Sequence, residues 1–167
     1  MKPLIIAAAF AFGLGSAGAF ANDDGQSGKT AEVRQKQESK GHGAEFGKPG
    51  DARKVSRTID VGMGDDMRFK PANINVKRGE TIRFVVKNNG RLKHEMVLGS
   101  MNELKEHAAL MRKFPEMEHD DPNAVSVDPG KTGTLIWHFT KTGTFDFACL
   151  QPGHFEGGMV GKIWVGH

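Results

Sequence analysis

Phe145-Asp146-Phe147-Ala148-Cys149, then Leu150-Gln151-Pro152-Gly153-His154-Phe155-Glu156-Gly157-Gly158, then Met159-Val160-Gly161-Lys162-Ile163-Trp164-Val165 reads as a strand, a tight loop and a second strand. Phe145, Phe147 and Cys149 fall on one face of the first strand, and Met159, Gly161, Ile163 and Val165 on one face of the second. A period of two is what a strand with one buried face requires. The same alternation recurs upstream in Val55, Ile59 and Val61, in Ile74 and Val76, in Ile82, Phe84 and Val86, in Leu92, His94, Met96 and Leu98, and in Leu135, Trp137 and Phe139. Gly79, Asn89-Gly90, Asp128-Pro129-Gly130 and Gly143 punctuate these segments as turn formers. About seven such strands predict an all-β fold, a Greek-key β-sandwich, over residues 55–167.

One segment leaves that period. Ser100-Met101-Asn102-Glu103 has the form of a capping box, and Met101, Leu104, Ala108 and Met111 follow at helical spacing until Pro115. This predicts a helix over 101–113, inserted between strands and packed over the sandwich by its Met and Leu face.

The N-terminal third is of another character. Lys2, the apolar stretch Leu4 to Phe12 and the small-residue run ending Ala19-Phe20-Ala21 form a secretory signal, with cleavage expected after Ala21. Residues 22–54 are dominated by Gly, Ser, Gln, Lys, Asp and Glu, and are expected to be a polar, disordered tail. His42 within it reads as a solvated histidine. No apolar run is long enough to span a membrane in the mature chain. The formal charge of +3 comes with no basic stretch interleaved with aromatics, so nucleic acid is not an expected partner. Nothing points to an assembly, and a monomer is expected.

The chain has one cysteine. A disulfide within the chain, a C-x-x-C redox pair, an iron–sulfur cluster and an all-cysteine zinc site are thereby excluded. A free thiol in an exported protein is open to oxidation unless something protects it, and a bound metal would. Cys149, His154 and Met159 set a thiolate, an imidazole and a thioether on one loop, a donor set that suits copper better than zinc, magnesium or calcium. His94, at the end of an alternating strand, is the candidate for a third strong ligand. Taken singly, Cys149 reads as a small buried hydrophobe, Met159 as core and His94 as a strand-end histidine. Together, on a loop that opens at the lone cysteine of an exported chain, they read as a copper site.

With these residues in place the chain resembles the cupredoxins, the blue-copper family of azurin, plastocyanin and pseudoazurin. The resemblance covers residues 55–167 and implies His94, Cys149 and His154 as trigonal ligands of one type 1 copper, with Met159 as the weak axial ligand. It also implies one-electron cycling between Cu(I) and Cu(II), and a transient redox or copper-delivery partner docking near His154, ringed by Leu150, Pro152, Phe155 and Gly158. The helix is similar in position to the flap of azurin. The Cys-to-His spacing is azurin-like, whereas the His-to-Met spacing is plastocyanin-like. Lys93 and Glu95 stand where azurin has a glycine offering its carbonyl to the metal and an asparagine tying the ligand loops together. A charged Glu95 is expected to shift the redox potential.

The Lys-His-Glu-Met run, the polar tail and the Met and His content of 101–119 look more like periplasmic cupredoxins of copper tolerance than like dedicated electron carriers. The function expected is therefore a periplasmic copper-binding protein that sequesters or oxidises copper; the alternative is a soluble electron shuttle. An enzyme is not expected, because the H-x-H pairs of multicopper oxidases are absent and Cys149 has no base and orienting partner for hydrolysis. Met96, His107, Met117 and His119, or Met63 and Met67 in part of that set, are candidates for a second, thioether-rich Cu(I) site, weighed against a reading as core filler and loop.

Overall fold

The structure is a computed structural model that describes residues 46–115 and 121–167. The expected signal sequence, residues 22–45 of the expected tail with His42, and Met117 and His119 lie outside the described residues.

The strands run in the order β1 (Gly47–Pro49), β2 (Arg57–Gly64), β3 (Arg68–Lys70), β4 (Asn73–Lys77), β5 (Thr81–Asn88) and β6 (His94–Gly99). Helix α1 (Met101–Lys113) follows, then β7 (Ala124–Val127), β8 (Thr132–Phe139), β9 (Gly143–Ala148) and β10 (Val160–Gly166). They form two 5-stranded sheets, β1-β8-β5-β2-β3 and β4-β10-β9-β6-β7. The chain switches sheets after β3, β4, β5, β7 and β8, so sequence neighbours face each other across the core in a Greek-key β-sandwich. That switching makes β2 and β5 parallel partners, and β4 and β10 likewise.

Alternation puts one side of each strand into the space between the sheets. Val61, Phe69, Ile82, Phe84, Val86, Trp137, Phe139, Phe147 and Ile163 all meet there. Strand β6 breaks the rule, for all of its residues are buried. Its inward residues Met96 and Leu98 join the sandwich core, while Val97 faces out and is covered by α1. The helix lays Leu104, Ala108 and Met111 on Val97, Ala148 and Leu150. The capping box is formed as the spacing requires: Glu103 N–H donates to Ser100 Oγ and Ser100 N–H donates back to Glu103 Oε2 at 2.8 Å.

The ordered domain begins before Val55. Phe46 is fully buried, stacked on Phe145 with ring centroids 4.5 Å apart and tilted against Trp137 at 5.5 Å. Behind it β1 pairs with β8, Gly47 opposite Phe139 and Pro49 opposite Trp137. Gly47 lies so close to the indole that a Cβ there would sit 2.2 Å from Trp137 Nε1. Residues 46–54, expected as tail, are thus a strand and a short 3-10 turn held by one aromatic anchor. Mean polarity of a segment does not register a single residue that buries fully. Leu92 departs in the other direction, since it precedes β6 and is 47% exposed.

Candidate metal centre

His94 is the first residue of β6, and the loop before it is built to place it. Asn88, at the end of β5 and fully buried, donates from Nδ2 to the carbonyls of Leu92 at 2.7 Å and Val127 at 2.9 Å, while its Oδ1 accepts from Gly90 N–H at 2.9 Å. Asn88 therefore replaces with its side chain the backbone bonds this turn lacks. Asp65, in the turn between β2 and β3, accepts from Arg91 N–H at 2.9 Å and Leu92 N–H at 3.2 Å. These two amides, Arg91's first, hold its carboxyl below the ordinary aspartate range. The same carboxylate lies 3.3 Å from His94 Nε2.

Cys149 follows β9 and points into the sandwich core. The loop from Cys149 to Met159 closes on itself: Cys149 N–H donates to Met159 O at 3.1 Å, Met159 N–H to His154 O at 3.0 Å, and His154 N–H to Gln151 O at 2.9 Å. Gly153 and Gly158 take the left-handed backbone, φ 85° and 84°, that such tight turns need. Met159 is fully buried at the base of this ring.

The result is a triangle of donors. His94 Nδ1 and His154 Nδ1 are 3.1 Å apart, Cys149 Sγ is 3.3 Å from His154 Nδ1, and Sγ is 3.9 Å from His94 Nδ1. Ligand bonds of about 2.0–2.3 Å let one ion touch all three corners of a triangle this small. A thiolate and two imidazoles, with a buried thioether on the same loop, are the donor set of a copper site of the trigonal kind. Among the described residues no other group of three His, Cys, Asp or Glu side chains is placed to hold a metal.

The electrostatics of the pocket favour neutral donors. Burial pushes the Cys149 thiol up to about 12, and the nearby Glu95 carboxylate adds to the rise. Burial, and then the neighbouring His94, lower the His154 imidazole. A metal arriving here finds a free imidazole lone pair on His154 and must displace a proton from Cys149.

Glu95 does more than stand beside the site. Its Oε1 accepts from Leu150 N–H at 3.0 Å, and Oε2 is met by Ser126 Oγ at 3.2 Å and Gln151 Nε2 at 3.4 Å. Its own N–H points to Cys149 Sγ at 3.4 Å. Glu95 therefore ties the strand of His94 to the loop of Cys149, the task azurin gives to asparagine.

The structure thus brings together His94, Cys149 and His154, and joins Met159 to them through the loop backbone. Of the second candidate set, Met96 and Met63 lie in the sandwich core with Met67 packed against it, and His107 lies on the buried face of α1, while Met117 and His119 fall outside the described residues. Leu150 is no part of a surface rim around His154, being buried beneath α1, whereas Pro152 is exposed and Phe155 half-buried. Asp65, Arg68 and Asn88, which brace the centre, carry no motif that sequence reading would single out.

The profile of the copper binding proteins, plastocyanin/azurin family, matches residues 55–166. The chain belongs to this family. Copper is its cofactor. This cupredoxin is similar, at 58% identity over 120 residues, to the copper-resistant cuproprotein CopI of Rubrivivax gelatinosus, the match covering 72% of this chain and 73% of that one. It is 42% identical over 158 residues to the CopI of Pseudomonas aeruginosa, covering 77% and 87% of the two chains. Of solved structures, the dithionite-reduced auracyanin of Roseiflexus castenholzii superposes with a TM-score of 0.56 at 25% identity, covering 68% of this chain and 99% of that one.

Proposed function

We propose that this protein is an exported, periplasmic type 1 copper protein of copper tolerance, in which His94, Cys149, His154 and Met159 would hold the copper. The observation that carries the reading is the buried triangle of two imidazoles and one thiol, seated in a chain whose relatives are described as copper-resistant cuproproteins. Bound copper supplies a one-electron Cu(I)/Cu(II) couple. Cys149 gives up its proton and becomes the thiolate donor. His94 and His154 each present Nδ1, Met159 offers the weaker thioether, and the closed loop keeps water from the sulfur. His154, 9% exposed and beside the exposed Pro152, is the donor nearest solvent, where a transient partner would exchange copper or an electron. No residue is assigned a catalytic step, and the chain acts as a monomer.

The test has two readouts. Loaded with copper, the protein shows an intense visible thiolate-to-copper band, blue or green, that ascorbate bleaches. Cells lacking the protein grow poorly in added copper and recover with the wild-type chain but not with Cys149→Ser. A band without any copper sensitivity in the deletion strain would favour the electron shuttle. A colourless protein that prefers zinc would overturn the copper reading itself.

A further inference from the structure

The segment Asp65-Asp66-Met67-Arg68, the turn after β2 together with the first residue of β3, belongs to the sheet opposite the one that carries β6 and β9, yet it touches both ligand segments. At one end Asp65 Oδ1 lies 3.3 Å from His94 Nε2, and its carboxylate is itself aimed by Arg91 and Leu92 N–H. It is seated against Gly90, where a Cβ would come within 2.1 Å of Asp65 Oδ1. At the other end Arg68 Nη1 donates to the carbonyls of Gly157 at 3.0 Å and Gly158 at 3.3 Å, inside the loop that holds His154 and Met159. The same nitrogen donates to Met67 O at 2.7 Å, and Met67, at φ 56°, holds the turn in the left-handed bend between the two contacts.

We propose that this turn is a positioning element of the copper centre, in which Asp65 fixes the tautomer and ring orientation of His94 while Arg68 pins the loop of His154 and Met159. The inference rests on the ligand assignment above. A neutral imidazole carries its proton on one nitrogen only, and the other is the metal donor. With a carboxylate at Nε2 the proton stays there, because the alternative would turn a ring lone pair towards a negative oxygen. Nδ1, which faces Cys149 and His154, is then the free donor before any metal arrives. Asp65 is 29 residues from His94 in sequence, so the constraint comes from the fold and not from the local chain.

The tautomer is read on the metal-free, full-length chain by long-range proton–nitrogen correlation of its imidazoles at pH 8, with His94 assigned through His94→Gln. The wild type is expected to show His94 protonated on Nε2. Asp65→Ala is expected to shift population to the Nδ1-protonated form, whereas Asp65→Asn, whose amide oxygen still accepts, is expected to keep the wild-type form. Copper affinity in competition with a chelator is expected to fall about 10- to 100-fold in Asp65→Ala and much less in Asp65→Asn. Wild-type His94 protonated on Nδ1 overturns the proposal, and so does Asp65→Ala with an unchanged tautomer. Should Asp65→Ala fail to fold, the wild-type spectrum still decides. For Arg68, hydrogen exchange at the amide of Met159 is expected to speed about tenfold or more in Arg68→Ala, with the amides of β5 unchanged. Equal exchange in the two chains removes Arg68 from the proposal. The tautomer needs no metal, so a wrong ligand assignment, seen as a wild type without a visible band, is a separate result.

Discussion

The metal centre is made of two halves that differ in how the chain holds them. His94 and Glu95 lie on β6, a strand buried on both faces and bonded to β7 and β9, with His94 fully covered. His154 lies in a loop whose flanking residues Pro152, Gly153, Glu156 and Gly157 are exposed and whose bonds are those of successive turns. The strand half defines where the site is; the loop half closes over it. Glu95 and the turn at Asp65–Arg68 bind the two together at the site.

The sharpest way to break this contrast is to remove each imidazole and offer it back. His94→Gly and His154→Gly are both expected to abolish the visible band. Added imidazole is expected to restore it in His154→Gly, whose position lies nearer solvent, and not in His94→Gly, whose position is fully buried. Equal rescue would show that the strand half is as accessible as the loop.

A smaller effect concerns the tie. Glu95→Ala leaves the buried Leu150 N–H without its acceptor and is expected to cost about 2–4 kcal/mol in denaturant unfolding of the metal-free protein. Glu95→Gln keeps an oxygen for Leu150 and is expected to cost about half as much. Identical losses would mean that the carboxylate's charge, not its hydrogen bonds, joins the halves.

The loop half also carries the proton that the metal displaces. With its thiol at about 12, Cys149 stays protonated at neutral pH, so binding releases one proton. Apparent Cu(II) affinity is expected to rise about tenfold, or about 1.4 kcal/mol, for each pH unit between about 7 and 9. The sign reverses for the metal-free fold. The unfolded chain loses this proton near 9.0 and the folded chain near 12, so stability is fully present below 9.0 and is lost as pH rises towards 12. Chelator competition and denaturation at a series of pH values check both.

The smallest effect is expected where the loop half meets α1. Arg112 pairs with Glu156, but their side chains are 54% and 40% exposed, so Arg112→Ala should change stability by no more than about 0.5–1 kcal/mol. A larger loss would show that the loop leans on the helix through charge.

What the sequence disclosed follows the same division. Period-two strands, the capped helix and the donors His94, Cys149 and His154 were legible because each rests on local pattern or on the chemistry of a rare residue type. Phe46 was not, because one anchor in a polar segment leaves no periodicity. Strands β3 and β7 were not, because short edge strands carry too few residues to alternate. Asp65 and Arg68 were not, because a turn with two aspartates and an arginine is ordinary solvent-facing sequence until the fold sets it against the ligands. Leu92 continued the alternation on paper, yet the Asn88 turn holds the chain out of the sheet until His94.

Helix α1 covers both neighbours of the cysteine in sequence, Ala148 and Leu150, while Cys149 itself turns the other way into the core. The sulfur's position is therefore set from behind by a helix that supplies none of the three clustered donors His94, Cys149 and His154. Heating that loosens α1 frees the backbone on either side of the sulfur, so the colour of the loaded protein and its helical signal should vanish in one melting transition, making the chromophore a thermometer for the helix behind it.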